Sequence, residues 1–179
     1  MACGESYIGS AARLDEARPL VHKRAMQIIG PDLQRVPECE AILRTLPKWF
    51  GIEHALLMYA RDSASMPTFG VLQDDRLLAF LTLHEHFPRA WEIHCVAVAA
   101  DARGQGHGSH LLAHAEAWLA NRGVSLLQVK TVAASSPSVE YAETRAFYER
   151  RGFQPLEVFP ELWDARNPAL LCVKVLRAG

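Results

Sequence analysis

Two groups of residues in this chain have types and spacings that could do chemistry. The first is Arg103-Gly104-Gln105-Gly106-His107-Gly108-Ser109, an arginine followed by three alternating glycines. Glycine lets a backbone approach a ligand closely and take up a left-handed conformation. If a helix opens here, its first N–H groups have no partner inside the helix and its dipole adds partial positive charge. With the Arg103 guanidinium this makes a candidate anion site. The second group is Glu92 and His94, polar residues in the β-prone run from Trp91 to Val98. A strand has a period of two, so both lie on the face opposite Trp91, Ile93, Cys95 and Ala97. Polar groups on a central strand are costly unless satisfied or useful, and an imidazole exchanges protons near neutral pH.

The spacing narrows the anion. A P-loop needs Lys-Ser/Thr after its last glycine, and Ser109-His110 is not that. A dinucleotide loop needs Gly-x-Gly-x-x-Gly, whereas this stretch reads Gly-x-Gly-x-Gly.

The surrounding elements must hold these groups in place. Met26 to Gly30 reads as a first strand, Asp32 to Leu46 and Glu53 to Arg61 as helices. From Thr68 the period changes: strands are predicted over 68–73 and 76–86, joined by an Asp74-Asp75 turn, and over 91–98 after a loop at 87–90. A helix follows over 107–122 and stops at Gly123, then a strand over 124–132. Ser136 is the expected cap of a helix running from Pro137 to about Arg151, ahead of Gly152. Strands are predicted over 153–158 and 169–176, with 160–168 as a loop carrying Trp163. The order predicts an α/β fold of the α+β kind, a mixed, mostly antiparallel sheet with helices on both faces.

The loop, the order of elements and a second stretch together resemble the GNAT superfamily of acetyl-CoA-dependent N-acetyltransferases, bacterial type. Arg103-Gly-Gln-Gly106-His-Gly108 matches the family's Arg/Gln-x-x-Gly-x-Gly/Ala loop after a strand. Phe147-Tyr148, Gly152 and Phe153 match its second motif, in which Tyr141 stands where Asn is usual and Thr144 where Ala is usual. A bacterial subset is closer still. Its members share the Tyr-Ala-x-Thr-Arg-x-Phe-Tyr pattern, Pro47-Lys48-Trp49-Phe50-Gly51, and Trp163-Asp164 through Asn167-Pro168. The likeness runs over about residues 26–177; the domain is expected to span 26–179, and residues 1–25, which have no period or motif, are expected to be an extension.

The resemblance implies transfer of an acetyl group from acetyl-CoA to a primary amine by direct attack in a ternary complex. A non-catalytic acetyl-CoA-binding protein on the same scaffold is the alternative, because a fold does not fix a function. Transfer needs a base for the amine, polarisation of the carbonyl and an acid for the departing sulfur. The resemblance implies Glu92 as base with His94 as second choice, and Tyr148 as acid. It implies cofactor contacts from Val96, Ala97 and Val98 on the strand, from Arg103, Gly104, Gln105, Gly106, His107, Gly108 and Ser109 in the loop, and from Tyr141, Thr144, Phe147 and Tyr148 on the later helix. Cys95 points away from Glu92 and His94 and reads as a small buried hydrophobe. Trp49, Phe50, Phe87 and Trp163 are candidates for the amine side.

Two histidine groups raise the question of a metal. If His86 pairs with Glu92, then His84 pairs with His94 and all four share a face, but a one-residue shift separates them. His107, His110 and His114 fall on one helical stripe. A zinc site needs converging ligands with a second shell, so no metal is expected. His110 and His114 are expected on the surface.

The bulk properties agree with a soluble globular protein. The chain has 179 residues, a formal net charge of −1, 50% hydrophobic and 22% charged residues. No block of like charge recommends nucleic acid or a membrane surface as partner. No apolar run nears the about 18 residues of a spanning helix. Four isolated cysteines fit reduced thiols in a cytoplasmic setting. A homodimer is left open. Deleting residues 1–25 should leave the melting temperature and acetyl-CoA binding nearly unchanged; a truncated chain that cannot fold would contradict this expectation.

Overall fold

The computed structural model describes residues 26–176; residues 1–25, with the extension expected there, and 177–179 lie outside the described residues. One seven-stranded sheet runs in the order β1-β2-β3-β4-β5-β7-β6. Its strands are β1 (Gln27–Ile29), β2 (Thr68–Gln73), β3 (Arg76–Phe87), β4 (Ala90–Val98), β5 (Leu126–Val132), β6 (Gln154–Asp164) and β7 (Asn167–Val175). The helices are α1 (Val36–Arg44), α2 (Glu53–Ser65), α3 (His107–Ala120) and α4 (Val139–Glu149). All strand pairs are antiparallel except β4 with β5. This is the mixed sheet that the pattern predicts.

The two faces of β4 are covered by different helices. On the Trp91 face lies α3, whose Trp118 ring meets Trp91 and Phe69 edge-on at 5.6 and 5.5 Å. On the His94 face lies α2, whose Tyr59 ring is 5.1 Å from the His94 ring. The core between them is fully buried: Phe69, Phe80, Leu81, Leu83, Leu111, Leu119 and Leu127 have no exposed surface. No helix among the described residues is long and apolar enough to cross a membrane.

Several boundaries differ from the sequence reading. The 160–168 stretch is not a loop: β6 and β7 form a long hairpin that turns at Ala165-Arg166, and Trp163 sits on β6. β6 is an edge strand with nearly every residue exposed, which is why it carries no alternation and tolerates Pro155 and Pro160. The helix expected from Pro137 begins at Val139. Its cap is Ser138, not Ser136, and the Ser138 side chain accepts from the Tyr141 N–H. The turn between β3 and β4 is only Pro88-Arg89. α2 runs four residues past Arg61, to Ser65.

Leu111 is fully buried where α3 meets the sheet. Leu111→Ala should cost about 2–5 kcal/mol of folding free energy, read as a lower urea midpoint at unchanged slope. A loss well under 1 kcal/mol would mean that α3 is not docked as described.

Candidate active site

The site exists because β4 and β5 part. They pair in parallel from Ala90↔Leu126 to Ile93↔Val129 and no further. Beyond that point β5 continues with β7 alone, through Lys130↔Leu171 to Val132↔Ala169, while β4 continues with β3 alone, through Leu81↔Val96 to Ala79↔Val98. The β5-side edge of β4 after Ile93 therefore has no strand on it, and its main-chain groups face the gap. A cavity of about 630 Å³ fills this gap. Val96, Ala97 and Val98 line one wall, Val129, Lys130 and Thr131 the other.

The glycine loop closes one end. A short 3-10 turn, Ala100–Ala102, leads out of β4. Gly104 and Gly106 then take φ of +76° and +86°, values that L side chains rarely adopt. Gly106 is the residue before the first turn of α3, and a Cβ on Gly104 would meet nothing within 4 Å. Gly108 is different: it is helical, and its Cβ position is 3.6 Å from Phe147 and Val98. Arg103 lies over the Trp49 ring at 4.4 Å and 3.5 Å from Glu143. Gln105 lies off the cavity and reaches back towards the Asp101 carbonyl at 3.5 Å.

Further polar groups around the loop and the gap suit an anionic, polar ligand. His107 Nε2 and Thr131 Oγ1 are buried without a hydrogen-bond partner, and both residues line the cavity. Such groups are costly unless a ligand or water satisfies them. Arg150 and Arg151 join Arg103 around the loop. The Arg151 guanidinium stacks on Phe147 at 3.7 Å and donates to Ser109 Oγ in the first turn of α3. Both arginines stand in the second motif, but sequence reasoning gave them no role.

The α4 motif and the Pro47–Gly51 motif meet in space. Tyr141 Oη donates to the Trp49 carbonyl at 3.2 Å, Trp49 Nε1 donates to Thr144 Oγ1 at 3.1 Å, and Lys48 pairs with Glu140. Tyr141 and Thr144 are thus the two residues that clasp Trp49 against α4, and both also line the cavity. This is a physical reason for their departure from the usual Asn and Ala.

Of the three catalytic candidates, His94 and Tyr148 line the cavity and Glu92 does not. Glu92 is buried. Its Oε2 accepts from His86 Nε2 at 2.6 Å, Gln128 Nε2 at 2.9 Å and Lys130 Nζ at 2.5 Å. Burial pushes the Glu92 carboxyl up, but the hydrogen bonds from Lys130, His86 and Gln128 outweigh it and hold the group below the usual carboxylate range. A carboxylate so held is a weak proton acceptor. His94 is the extra residue of a β-bulge on β4, between Thr82↔Cys95 and Leu83↔Ile93. Its Nε2 lies 2.7 Å from Asp62 Oδ2. An ionised carboxylate only accepts, so the proton sits on Nε2 and leaves Nδ1 as the basic nitrogen of the neutral ring. Asp62 was missed because it lies on the part of α2 that has no apolar period. Tyr148 is buried among Phe147 and Phe153, with ring centroids 5.2 and 5.4 Å away. Burial pushes its phenol well up, with Cys95 and Cys172 adding to the shift, so the hydroxyl keeps its proton.

The histidine pairing is displaced by two residues from the one posed: His84, not His86, is opposite Glu92. A shift of two preserves the face, and ring contacts link His84 to His86 at 4.5 Å and to His94 at 6.1 Å. Ligand atoms of His84, His86 and Glu92 lie within 4.8 Å of one another, but the Lys130 ammonium is on the same Glu92 oxygen. On α3, His110 and His114 are exposed and His107 is buried. Cys95 is buried and also lines the cavity, and burial pushes its thiol up and keeps it protonated.

The depressed Glu92 carboxyl stabilises the fold above the unfolded pKa of about 4.3, and that contribution is lost as pH falls through the folded value. Glu92→Gln should therefore lower the urea midpoint at pH 7, and the difference from wild type should shrink at pH 3.5. An equal difference at both pH values would contradict the charged network.

Solved structures share this fold. A GNAT-family protein of Desulfovibrio desulfuricans superposes with a TM-score of 0.72 at 18% identity, covering 85% of this chain and 99% of the other. The ribosomal-protein-S18-alanine N-acetyltransferase of Escherichia coli gives 0.70 at 20% identity, covering 87% and 96%. A GNAT-family acetyltransferase of Elizabethkingia anophelis, solved with acetyl-CoA bound, gives 0.62 at 14% identity, covering 84% and 98%. At these identities the likeness is one of fold. No curated protein sequence matches the chain. The family model described as the acetyltransferase (GNAT) family matches residues 35–153, which take in the gap between β4 and β5, the glycine loop and α4, and the chain belongs to that family.

Proposed function

We propose that this protein transfers the acetyl group of acetyl-CoA to the nitrogen of a primary amine, by direct attack while both are bound. The observation that carries the reading is one cavity lined by the left-handed glycines, by His107 and Thr131 with their unpartnered polar atoms, and by His94 and Tyr148. Acetyl-CoA would supply an activated thioester. Overall a C–N bond forms, a C–S bond breaks, the amine gives up a proton and the sulfur leaves as a thiol.

The chain's own residues divide the work. The loop amides, with Arg103, Arg150 and Arg151, hold phosphate, and the free β4 edge at Val96 and Val98 offers main-chain groups to amide and carbonyl oxygens. His94 Nδ1 accepts the amine proton, with Asp62 fixing the tautomer and stabilising the charged ring. Tyr148 keeps a proton at its hydroxyl for the departing sulfur. Cys95 does not enter the chemistry, so no acyl-enzyme forms. Glu92 is the second candidate base, and its hydrogen-bonded state makes it the weaker one. A cytoplasmic setting is supported by three free, buried cysteines, Cys39, Cys95 and Cys172.

Two experiments test this. Gly106→Val should abolish acetyl-CoA binding in calorimetry with little change in circular dichroism, because a β-branched residue cannot hold φ near +86° and would cover the loop amides. Wild-type affinity would sink the loop assignment. On one identified amine, His94→Gln should lower kcat by about 10²–10⁴-fold and remove the acidic limb of the pH profile. Glu92→Gln should keep that limb, and Tyr148→Phe should lower the rate at every pH. If Glu92→Gln loses the limb and His94→Gln keeps it, the base is Glu92.

A further inference from the structure

One stretch of the cavity wall is built from rings, from Trp49 under Arg103 to Tyr59 beside His94. Trp49 and Phe50 come from the connection between α1 and α2, Tyr59 from α2 and Trp163 from β6, three separate parts of the chain. Phe50 meets Tyr59 edge-on at 5.8 Å, and Tyr59 in turn meets His94. Trp49, Phe50 and Tyr59 pack against the core on one side and line the cavity on the other. The core residues of this protein are at most 8% exposed, yet Trp163 is 44% exposed and Trp49, Phe50 and Tyr59 are only partly buried.

The charges there are already engaged. Glu143 is the only carboxylate among the described lining residues, and it faces Arg103 at the phosphate end. Behind the wall, Asp62 is held by His94 and Glu92 by Lys130, His86 and Gln128. Lys130 also lines the cavity, with its ammonium held on Glu92 Oε2 at 2.5 Å. Asp62, Glu92 and Lys130 together leave about one negative charge, enough for one ammonium before it is deprotonated. A second or third ammonium would meet Lys130 and no free carboxylate. The rings offer it only cation–π contact, whereas a flat apolar group can stack on them.

We propose that the acceptor is a small monoamine with a flat aromatic body, of the phenethylamine class, and that Phe50 and Trp163 select it. The proposal rests on the acetyl-transfer reading above. The acceptor leaves as its N-acetyl amide and CoA leaves as the free thiol.

The test measures thiol release from acetyl-CoA with phenethylamine and tryptamine, with hexylamine as the aliphatic match, and with spermidine, kanamycin and a short peptide as competing classes. The aromatic amines should exceed spermidine, kanamycin and the peptide in kcat/KM by about tenfold or more, and should exceed hexylamine. Trp163→Ala should raise KM for phenethylamine about fivefold with kcat and the KM for acetyl-CoA nearly unchanged, as expected for a lost stacking contact. Phe50→Leu is the second variant, should Trp163→Ala disturb the β6–β7 hairpin, and should do the same. Faster turnover of spermidine, kanamycin or the peptide, or an unchanged phenethylamine KM in both variants, would overturn the aromatic class while leaving acetyl transfer standing. If acetyl-CoA binds by calorimetry and none of these amines is turned over, acetyl transfer falls, and the acceptor class falls with it.

Discussion

The structure depends on one break in hydrogen bonding, the loss of the β4–β5 ladder after Ile93 and Val129. A continuous sheet would satisfy every main-chain group on β4 and leave no place for a ligand. Here the two strands keep their outer neighbours and give up each other. β5 is held by seven pairings to β7, and β4 by its long ladder to β3, so each strand remains rigid while the edge between them is free. The glycine loop then follows from the free end of β4, and the first residues of α3, His107 to Ser109, line the same gap. Fold and ligand site are the same feature viewed at two scales.

Around that gap, charge is separated by role. The Glu92 carboxylate is surrounded by donors from β3 and β5 and sits behind the wall, where it anchors Lys130 and ties the three strands across one face. One bulge further along β4, His94 meets a carboxylate from a helix rather than from the sheet, and it alone of the pair reaches the cavity. The bulge thus distinguishes two neighbouring titratable residues that look alike in sequence. The clasp of Trp49 by Tyr141 and Thr144 joins the first half of the chain to α4 at the cavity wall.

Much of this was legible in the sequence, for definable reasons. Gly104 and Gly106 announce themselves because only glycine holds φ near +80° cheaply, and the change from helical to alternating period at Thr68 marks the sheet. The missed features have equally physical causes. β6 is an exposed edge, so hydrophobic alternation, the main signal of a strand, is absent. Asp62 lies beyond the last periodic residue of α2, and its partner is 32 residues away. The standing of Glu92 is set by Gln128 and Lys130, whose approach depends on register and is invisible in a linear pattern.

The central claim is that thioester and amine meet in the gap between β4 and β5. A crystal structure with a bisubstrate analogue, CoA joined through an acetyl linker to phenethylamine, tests it most directly. The account predicts the pyrophosphate at the Gly104–Gly108 loop, the sulfur beside Tyr148 and the linked nitrogen on the His94 side of the gap. Density for the analogue on another surface, or a nitrogen placed against Glu92 with His94 turned away, would contradict it.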